Sequence, residues 1–124
     1  MRILSFQKEF KDKLLSGVKI STMRKHKRPM NVGETVQIWC PSPRTGKGKK
    51  LFNARILQKE RAKIENNILF IEGIPIIRSE NLIVAHEGFE NSISMFCWFK
   101  KQYGICPFEG VRYIFERVVR DEKT

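Results

Sequence analysis

Apolar and polar residues recur along the chain with two periods, and these periods predict a mixed α+β domain. Between Gln7 and Ser16, Phe10 and Leu14 fall on one helical face with charged residues opposite. A second apolar stripe predicts a longer helix over residues 92–103. Alternation with a period of two predicts about six strands, at residues 2–6, 20–24, 35–40, 51–63, 68–71 and 111–116. Since strands and helices do not alternate along the chain, we expect a mixed barrel or curved sheet with two main covering helices.

The same periods predict which side chains are buried. Val36, Ile38 and Cys40 fall on one face of their strand, and Trp39 falls on the other. Trp39 either packs under a neighbouring element or offers a stacking surface for a base. In the last strand the apolar residues alternate with Arg112, which predicts an outward-facing Arg112. Those apolar residues are Val111, Tyr113 and Phe115.

The second helix contains the most aromatic stretch of the chain, Met95-Phe96-Cys97-Trp98-Phe99. Its spacing predicts one apolar face with Ile93, Phe96 and Cys97, and with Met95 and Phe99 beside it. A near-continuous apolar run favours a helix buried against a sheet. We therefore interpret these aromatic side chains as core rather than as a cofactor site.

At 124 residues, the chain has the size of one domain, and we take residues 1–124 as a single unit. Its net charge of +11 is unevenly distributed. Residues 1–63 contain 17 Lys and Arg against 4 Asp and Glu, whereas residues 64–124 contain 7 against 9. A basic half on one compact domain is typical of a protein that binds a polyanion, and general solubility would not need such an asymmetry.

Three cysteines, at positions 40, 97 and 106, form no C-x-x-C motif, and an odd count favours a reducing cytoplasm. We expect them to act as small core hydrophobes. With His26 and His86 they lack the spacing of a zinc site, so we expect no metal and no cofactor. No apolar run approaches the length of a membrane span, and the N-terminus does not resemble a signal peptide. A monomer is expected.

The segment Gly17-Val18-Lys19-Ile20-Ser21-Thr22-Met23-Arg24 concentrates the candidate chemistry. Gly17 can adopt the left-handed conformation that ends a helix. Thr22 and Arg24 are two residues apart and project from one face of a strand. Lys19 has the wrong parity, so it joins them only if the chain is still turning after Gly17. A solvated basic turn leading into a strand is the alternative.

This segment resembles the G-x-K-x-x-T-x-R motif of the ASCH domains, named after activating signal cointegrator homology. Two later segments, Val32-Gly33-Glu34-Thr35-Val36 and Ala85-His86-Glu87-Gly88-Phe89-Glu90-Asn91, are similar to the same family in the same order. The resemblance implies a PUA-like β-barrel. The family includes RNA binders and an amidohydrolase acting on N4-acetylcytidine, so it implies either RNA or nucleotide binding or the hydrolysis of an N-acylated nucleoside.

For hydrolysis, the resemblance implies a catalytic set of Lys19, Thr22 and Glu90, with Glu87 as a rival for the carboxylate. A threonine hydroxyl is a poor nucleophile, and a lysine serves as its base only if its pKa is depressed. Partial burial beside Arg24 would lower the pKa of Lys19 in that way. A carboxylate could then transfer a proton to the departing amine.

For binding, we expect RNA or another single strand, with bases in the cleft and phosphates on the surrounding cations. The loop after the motif and the loop before the long strand supply most of these cations. Thr22 and an aromatic side chain such as Trp39 or Phe89 are the candidate base contacts. The candidate nucleic-acid contacts are Lys19, Arg24, Lys25, Lys27, Arg28, Trp39, Arg44, Lys47, Lys49 and Lys50. A mobile charged loop, or a protein partner for the basic surface, remains an alternative.

Overall fold

The computed structural model describes residues 1–25, 28–76, 80–104 and 107–118, with only the backbone of Glu80 and Asn81. The strands are β1 Arg2–Ser5, β2 Ser21–Arg24, β3 Thr35–Trp39, β4 Lys50–Glu65, β5 Ile68–Ile71, β6 Ile74–Pro75 and β7 Phe108–Arg117. The α-helices are α1 Lys11–Ser16, α2 Glu80–His86 and α3 Ser92–Tyr103. Short 3-10 helices cover Lys8–Phe10 and Pro43–Thr45. The predicted contributions of His26, Lys27 and Cys106 lie outside the described residues.

The seven strands form one mixed sheet organised around β4. β4 is 16 residues long and pairs antiparallel with β3, β5 and β7. β1 pairs in parallel with β3, and β2 pairs antiparallel with β7. Within the described chain β1 and β2 do not pair, so the sheet is not closed and the expectation of a barrel is wrong. The α+β class is confirmed, and the seventh strand is the two-residue β6 Ile74–Pro75, which lies outside the six predicted strands.

The core consists of two clusters of buried side chains. One gathers residues of β1, α1, β3, the first half of β4 and β7, including Leu4, Leu14 and Tyr113. The other lies between the second half of β4, β5, α2 and α3. Phe89 and Trp98 are partly buried and pack against both clusters. These two aromatic side chains therefore mark the junction at which the helices cover the sheet.

Helix α3 has the predicted bounds but a different buried face. Met95 and Phe99 are buried, whereas Ile93 and Cys97 are exposed. The prediction that Cys97 is a core residue is therefore wrong, and the same prediction for Cys40 is confirmed. Asn91 caps the start of the helix, and its side-chain oxygen accepts a hydrogen bond from the Ser94 amide at 2.8 Å. This cap sets the helix in place at the entrance of the site described below.

The last strand also differs from its predicted pattern. Tyr113 and Phe115 are buried as expected, but Arg112 is buried as well, at 4% exposure. Alternation alone predicted an outward Arg112. The strand lies between β2 and β4, and α2 with the residues after it covers its second face, so both faces of this stretch are enclosed. The buried guanidinium of Arg112 is stabilised by ion pairs with the carboxylates of Glu60 and Glu87.

Candidate nucleobase cleft

The chain between α1 and β2 is irregular, and this irregularity brings the motif residues together. Gly17 ends α1 with a φ of 81°, as predicted. The Lys19 amide donates to the Lys13 carbonyl at 3.0 Å and the Ile20 amide to the His86 carbonyl at 2.9 Å, before β2 begins at Ser21. The parity mismatch between Lys19 and Thr22 is removed by this turn. Both side chains line the same cleft.

The cleft has a volume of about 170 Å³ and lies at the open seam between β1 and β2. Its aromatic lining consists of Phe6, Phe10, Phe89, Trp98, Phe99 and Tyr103. Its polar lining consists of Ser5, Gln7, Lys19, Thr22, Arg24 and Glu87. The side chain of Arg24 crosses the seam and donates to the Ser5 carbonyl at 2.5 Å. Where backbone hydrogen bonds would join two paired strands, β1 and β2 are connected by the Arg24 side chain and separated by the cleft.

The amine of Lys19 is fixed at the base of this cleft. Lys19 is only 4% exposed, and its Nζ donates to the Ser21 carbonyl at 2.9 Å and to the Glu87 carbonyl. It also lies 4.9 Å from the centre of the Phe10 ring. Since an ammonium group has three N–H donors, one remains for a bound molecule. In the neutral amine the same position is occupied by the lone pair.

The Lys19 stem is held by close packing against the backbone. Gly88 has a φ of +92°, and a Cβ placed on it would lie 2.9 Å from Cδ of Lys19 and 3.2 Å from the Phe10 ring. Only a glycine fits this position without displacing the lysine. This contact could not be predicted along the chain, because residues 19 and 88 meet only in the folded protein.

Burial lowers the pKa of Lys19 from its ordinary value of 10.5 to about 8. The largest cause is the loss of solvent around the ammonium group. Glu87 opposes this by raising the pKa of Lys19, whereas Arg24, Arg112 and Lys13 lower it further. The lysine can therefore exchange a proton near neutral pH, which an exposed lysine does not do.

Thr22 and Arg24 form the second polar element of the cleft. Thr22 is 5% exposed, and its Oγ1 accepts a hydrogen bond from Nε of Arg24 at 3.0 Å. Arg24 stacks over Phe6, with 4.7 Å between the guanidinium carbon and the ring centre. Burial lowers the pKa of Arg24 as well. With the Ser5 contact, these bonds fix the guanidinium plane along one wall.

Of the two candidate carboxylates, Glu87 lies in the cleft. Glu87 is 1% exposed, and its Oε2 accepts hydrogen bonds from the Ser21 hydroxyl and, at 3.3 Å, from Nε of Arg112. Glu90 is exposed and lines a separate depression of about 260 Å³ on the other side of Phe89. The structure therefore groups Glu87, rather than Glu90, with Lys19 and Thr22.

Most of the predicted nucleic-acid contacts lie away from the cleft. Arg28 and the loop cations Arg44, Lys47, Lys49 and Lys50 are exposed, and none of them lines it. Lys25 is at its rim, where Nζ lies 5.4 Å from the centre of the Tyr103 ring. Trp39 is half-buried, and its Nε1 donates to Gln37 at 2.8 Å. Trp39 is not among the aromatic residues of the cleft.

The sequence interpretation missed the aromatic wall and the buried polar network. Phe10 lies 5.5 Å from Phe89 and 5.8 Å from Trp98 between ring centres, so three separate segments form one edge-to-face cluster. The sequence assigned Phe10 to a helix face and Trp98 to the core, and of the three only Phe89 was a candidate base contact. Ser21 and Arg112 were not considered as site residues, although a charged residue inside an alternating apolar strand was a usable signal.

Two other possibilities are addressed by the described parts of the chain. No group of three or more His, Cys, Asp or Glu there could hold a metal ion. No helix within the same residues is long and apolar enough to cross a membrane.

No protein-family model, no curated protein and no solved structure matches the chain significantly.

Proposed function

We propose that this protein binds RNA or a nucleotide by taking one nucleobase into the cleft at the seam between β1 and β2. The observation that carries the proposal is the combination of an aromatic wall with a buried amine inside a cavity of about 170 Å³. Such a volume suits one base better than a larger cofactor. Aromatic side chains provide a stacking face, and single-stranded RNA presents unstacked bases.

The polar groups of the cleft are suited to the edge of a base. The remaining N–H of the Lys19 ammonium can donate to a ring nitrogen or a base carbonyl. The Thr22 hydroxyl can also donate, because its oxygen already accepts from Arg24. At the rim, Lys25 is exposed and can contact a phosphate. The exposed loop cations extend the positive charge beyond the cleft and contribute affinity without reading the base.

The test is a binding titration with short single-stranded RNAs of each base and with free nucleotides, followed by fluorescence anisotropy or calorimetry. Lys19→Met keeps the buried stem but removes the amine, and should weaken binding by about 1.5–3 kcal/mol, roughly ten- to a hundred-fold. Lys59→Met, at an exposed lysine of β4, is the matched control. Wild-type protein that binds no oligonucleotide and no nucleotide would refute the proposal.

The loop is tested separately by its salt dependence. Changing Arg44, Lys47, Lys49 and Lys50 together to Ala should flatten the slope of log K against log salt by up to about one unit per lost phosphate contact. Lys19→Met should change the affinity but hardly the slope. An unchanged slope in the loop variant would remove the loop from the RNA contact and leave the cleft proposal in place.

A second candidate function, hydrolysis of an N-acylated nucleoside such as N4-acetylcytidine, is favoured by one specific observation. Lys19, with a pKa lowered to about 8, lines the cleft together with the hydroxyl of Thr22. The neutral amine would take the Thr22 proton while the Thr22 oxygen bonds to the acyl carbon. The acyl C–N bond would then break as the Lys19 ammonium returns the proton to the leaving nitrogen. Water would hydrolyse the acyl-threonine, releasing the carboxylate.

The reaction is tested by following acetate and cytidine release from N4-acetylcytidine. Lys19→Met and Thr22→Val should abolish turnover, and kcat/KM should rise with pH through about 8 as Lys19 loses its proton. Glu87→Gln should change the rate, because Glu87 raises the pKa of Lys19, and Glu90→Gln should not, because Glu90 does not line the cleft. Equal effects of the two glutamate changes, or turnover that survives Lys19→Met, would contradict this mechanism.

A further inference from the structure

The carboxylate of Glu87 acts on Lys19 electrostatically, but its hydrogen-bond partners are other residues. Lys19 donates to the main-chain oxygen of Glu87, while the side chain of Glu87 accepts from Ser21 and Arg112. A lysine beside a buried carboxylate ordinarily forms a direct ion pair with it. Here the competing partners of Glu87 prevent this arrangement.

Arg112 is the charged one of these partners, and each of its three side-chain nitrogens donates a hydrogen bond. Its Nε donates to Glu87 at 3.3 Å, its Nη1 to Glu60 at 2.8 Å and its Nη2 to the Ser21 hydroxyl at 3.3 Å. The Arg112 side chain is 5% exposed and that of Glu60 is 18% exposed. Glu60 lies directly opposite Arg112 in the pairing of β4 with β7, so the sheet register fixes the guanidinium.

We propose that Arg112 is a positioning residue for the cleft: its guanidinium holds the Glu87 carboxylate against Ser21 and thereby keeps it from forming an ion pair with the Lys19 amine. The inference rests on the proposed role of Lys19 in the cleft. Arg112 touches no bound base in this arrangement. It acts through Glu87, and the result is a lysine that remains available to a ligand.

The charges around Lys19 determine whether each substitution should raise or lower its pKa. Among the described residues, Lys13 from α1, Arg24 from β2 and Arg112 from β7 lower the pKa of Lys19, and Glu87 after α2 is the carboxylate that raises it. If Arg112 is removed, Glu87 becomes free to turn toward Lys19, and the pKa of Lys19 should rise. If Glu87 is removed, the pKa of Lys19 should fall, because the cations are then unopposed.

The experiment is a pH titration of the Lys19 side chain by NMR in ligand-free protein labelled with ¹³C-lysine. The Lys19 signal is identified as the one that disappears in Lys19→Arg. Arg112→Gln should raise the pKa by about one pH unit or more, and Glu87→Gln should lower it. Arg61→Gln, which breaks an exposed pair with Glu72 on the same sheet, is the matched control and should leave it unchanged.

A double variant separates positioning from simple charge removal. If Arg112 acts through Glu87, Arg112→Gln should raise the pKa of Lys19 less in the Glu87→Gln background than in wild type, because only the direct charge effect of Arg112 remains there. An equal rise in both backgrounds, or an unchanged pKa in Arg112→Gln, would overturn the proposal. If Arg112→Gln does not fold, Ser21→Ala removes the other donor to Glu87 and must shift the pKa in the same direction. Because no ligand is present, these results are independent of RNA binding and of hydrolysis.

Discussion

Burying the Lys19 amine should cost the folded protein about 3 kcal/mol at neutral pH, and Lys19→Met makes this cost measurable. The estimate follows from the pKa of Lys19, which lies at about 8 in the folded protein against an ordinary value of 10.5. Each pH unit of difference corresponds to about 1.4 kcal/mol between the two protonation states. Since Lys19 is only 4% exposed, solvent does not screen this effect appreciably.

The sign of the pH dependence follows from proton binding. Between about pH 8 and pH 10.5 the unfolded chain holds a proton on Lys19 that the folded chain has released. The free energy of unfolding attributable to this residue therefore rises with pH across that window and is constant above it. Below about pH 8 both states are protonated, and the full cost of the buried charge is present.

Lys19→Met also removes two hydrogen bonds, which acts in the opposite direction. The carbonyls of Ser21 and Glu87 each lose a donor, at about 1–3 kcal/mol for each buried group left unpaired. At pH 7 these losses and the relief of the buried charge are of similar size, so the variant's stability at one pH decides nothing. The hydrogen-bond losses do not change with pH, whereas the charge contribution does.

The assay is urea denaturation of wild type and Lys19→Met at several pH values from 6.5 to about 10.5. The stability of wild type relative to the variant should increase by about 3 kcal/mol from the lowest to the highest pH, and other titrating groups cancel in the difference. Parallel curves for the two proteins over this range would show that Lys19 keeps an ordinary pKa. That result would refute both the buried-amine argument and the proposed proton exchange.

Two further substitutions test the packing of the cleft. Gly88→Ala should lose about 1–2 kcal/mol of stability, because alanine is strained in this left-handed backbone conformation, and it should also displace Lys19. Gly17→Ala should show only the loss from the backbone conformation, because nothing lies within 4 Å of its added Cβ. Equal stability losses in thermal melts, together with equal nucleotide affinities, would contradict the contact between Gly88 and Lys19. Trp39→Ala should lower stability through lost packing on β3, but it should leave the nucleotide affinity of the folded protein unchanged. A loss of about 1–3 kcal/mol in binding free energy at unchanged stability would instead indicate that a base stacks on Trp39.

Local sequence features predicted the elements better than their partners. Gly17 and the apolar stripe of residues 92–103 predicted a helix end and a helix correctly, because both depend on neighbouring residues. The buried face of α3 was wrong at Ile93 and Cys97, since several faces of this helix are apolar and only its packing against β4 and β7 selects one. The open seam could not be predicted from alternation, which identifies strands but not which edges pair.

In the candidate site, too, features that depend on neighbouring residues were predicted, and contacts between distant segments were not. That Lys19 and Thr22 could meet was predicted from the turn after Gly17. That Glu87 rather than Glu90 lines the cleft could not be predicted, because the contacts of Glu87 with Ser21 and Arg112 form only in the folded chain. The burial of Arg112 depends in turn on the register of β7 against β4 and on Glu60 at the opposite position. A pattern read along one strand does not contain that information.

The position of β7 in the sheet determines when the sheet can be completed in the nascent chain on the ribosome. β7 is the last strand of the described chain, yet it pairs with β2 near the start and with ten residues of β4 from Ala54 to Ile64. Until residues 108–117 emerge, β2 has no strand partner and the middle of β4 presents unpaired backbone beside apolar side chains. Such edges attract other chains. The cleft, whose Glu87 is held by a β7 residue, is therefore completed only after the rest of the sheet has already been synthesised.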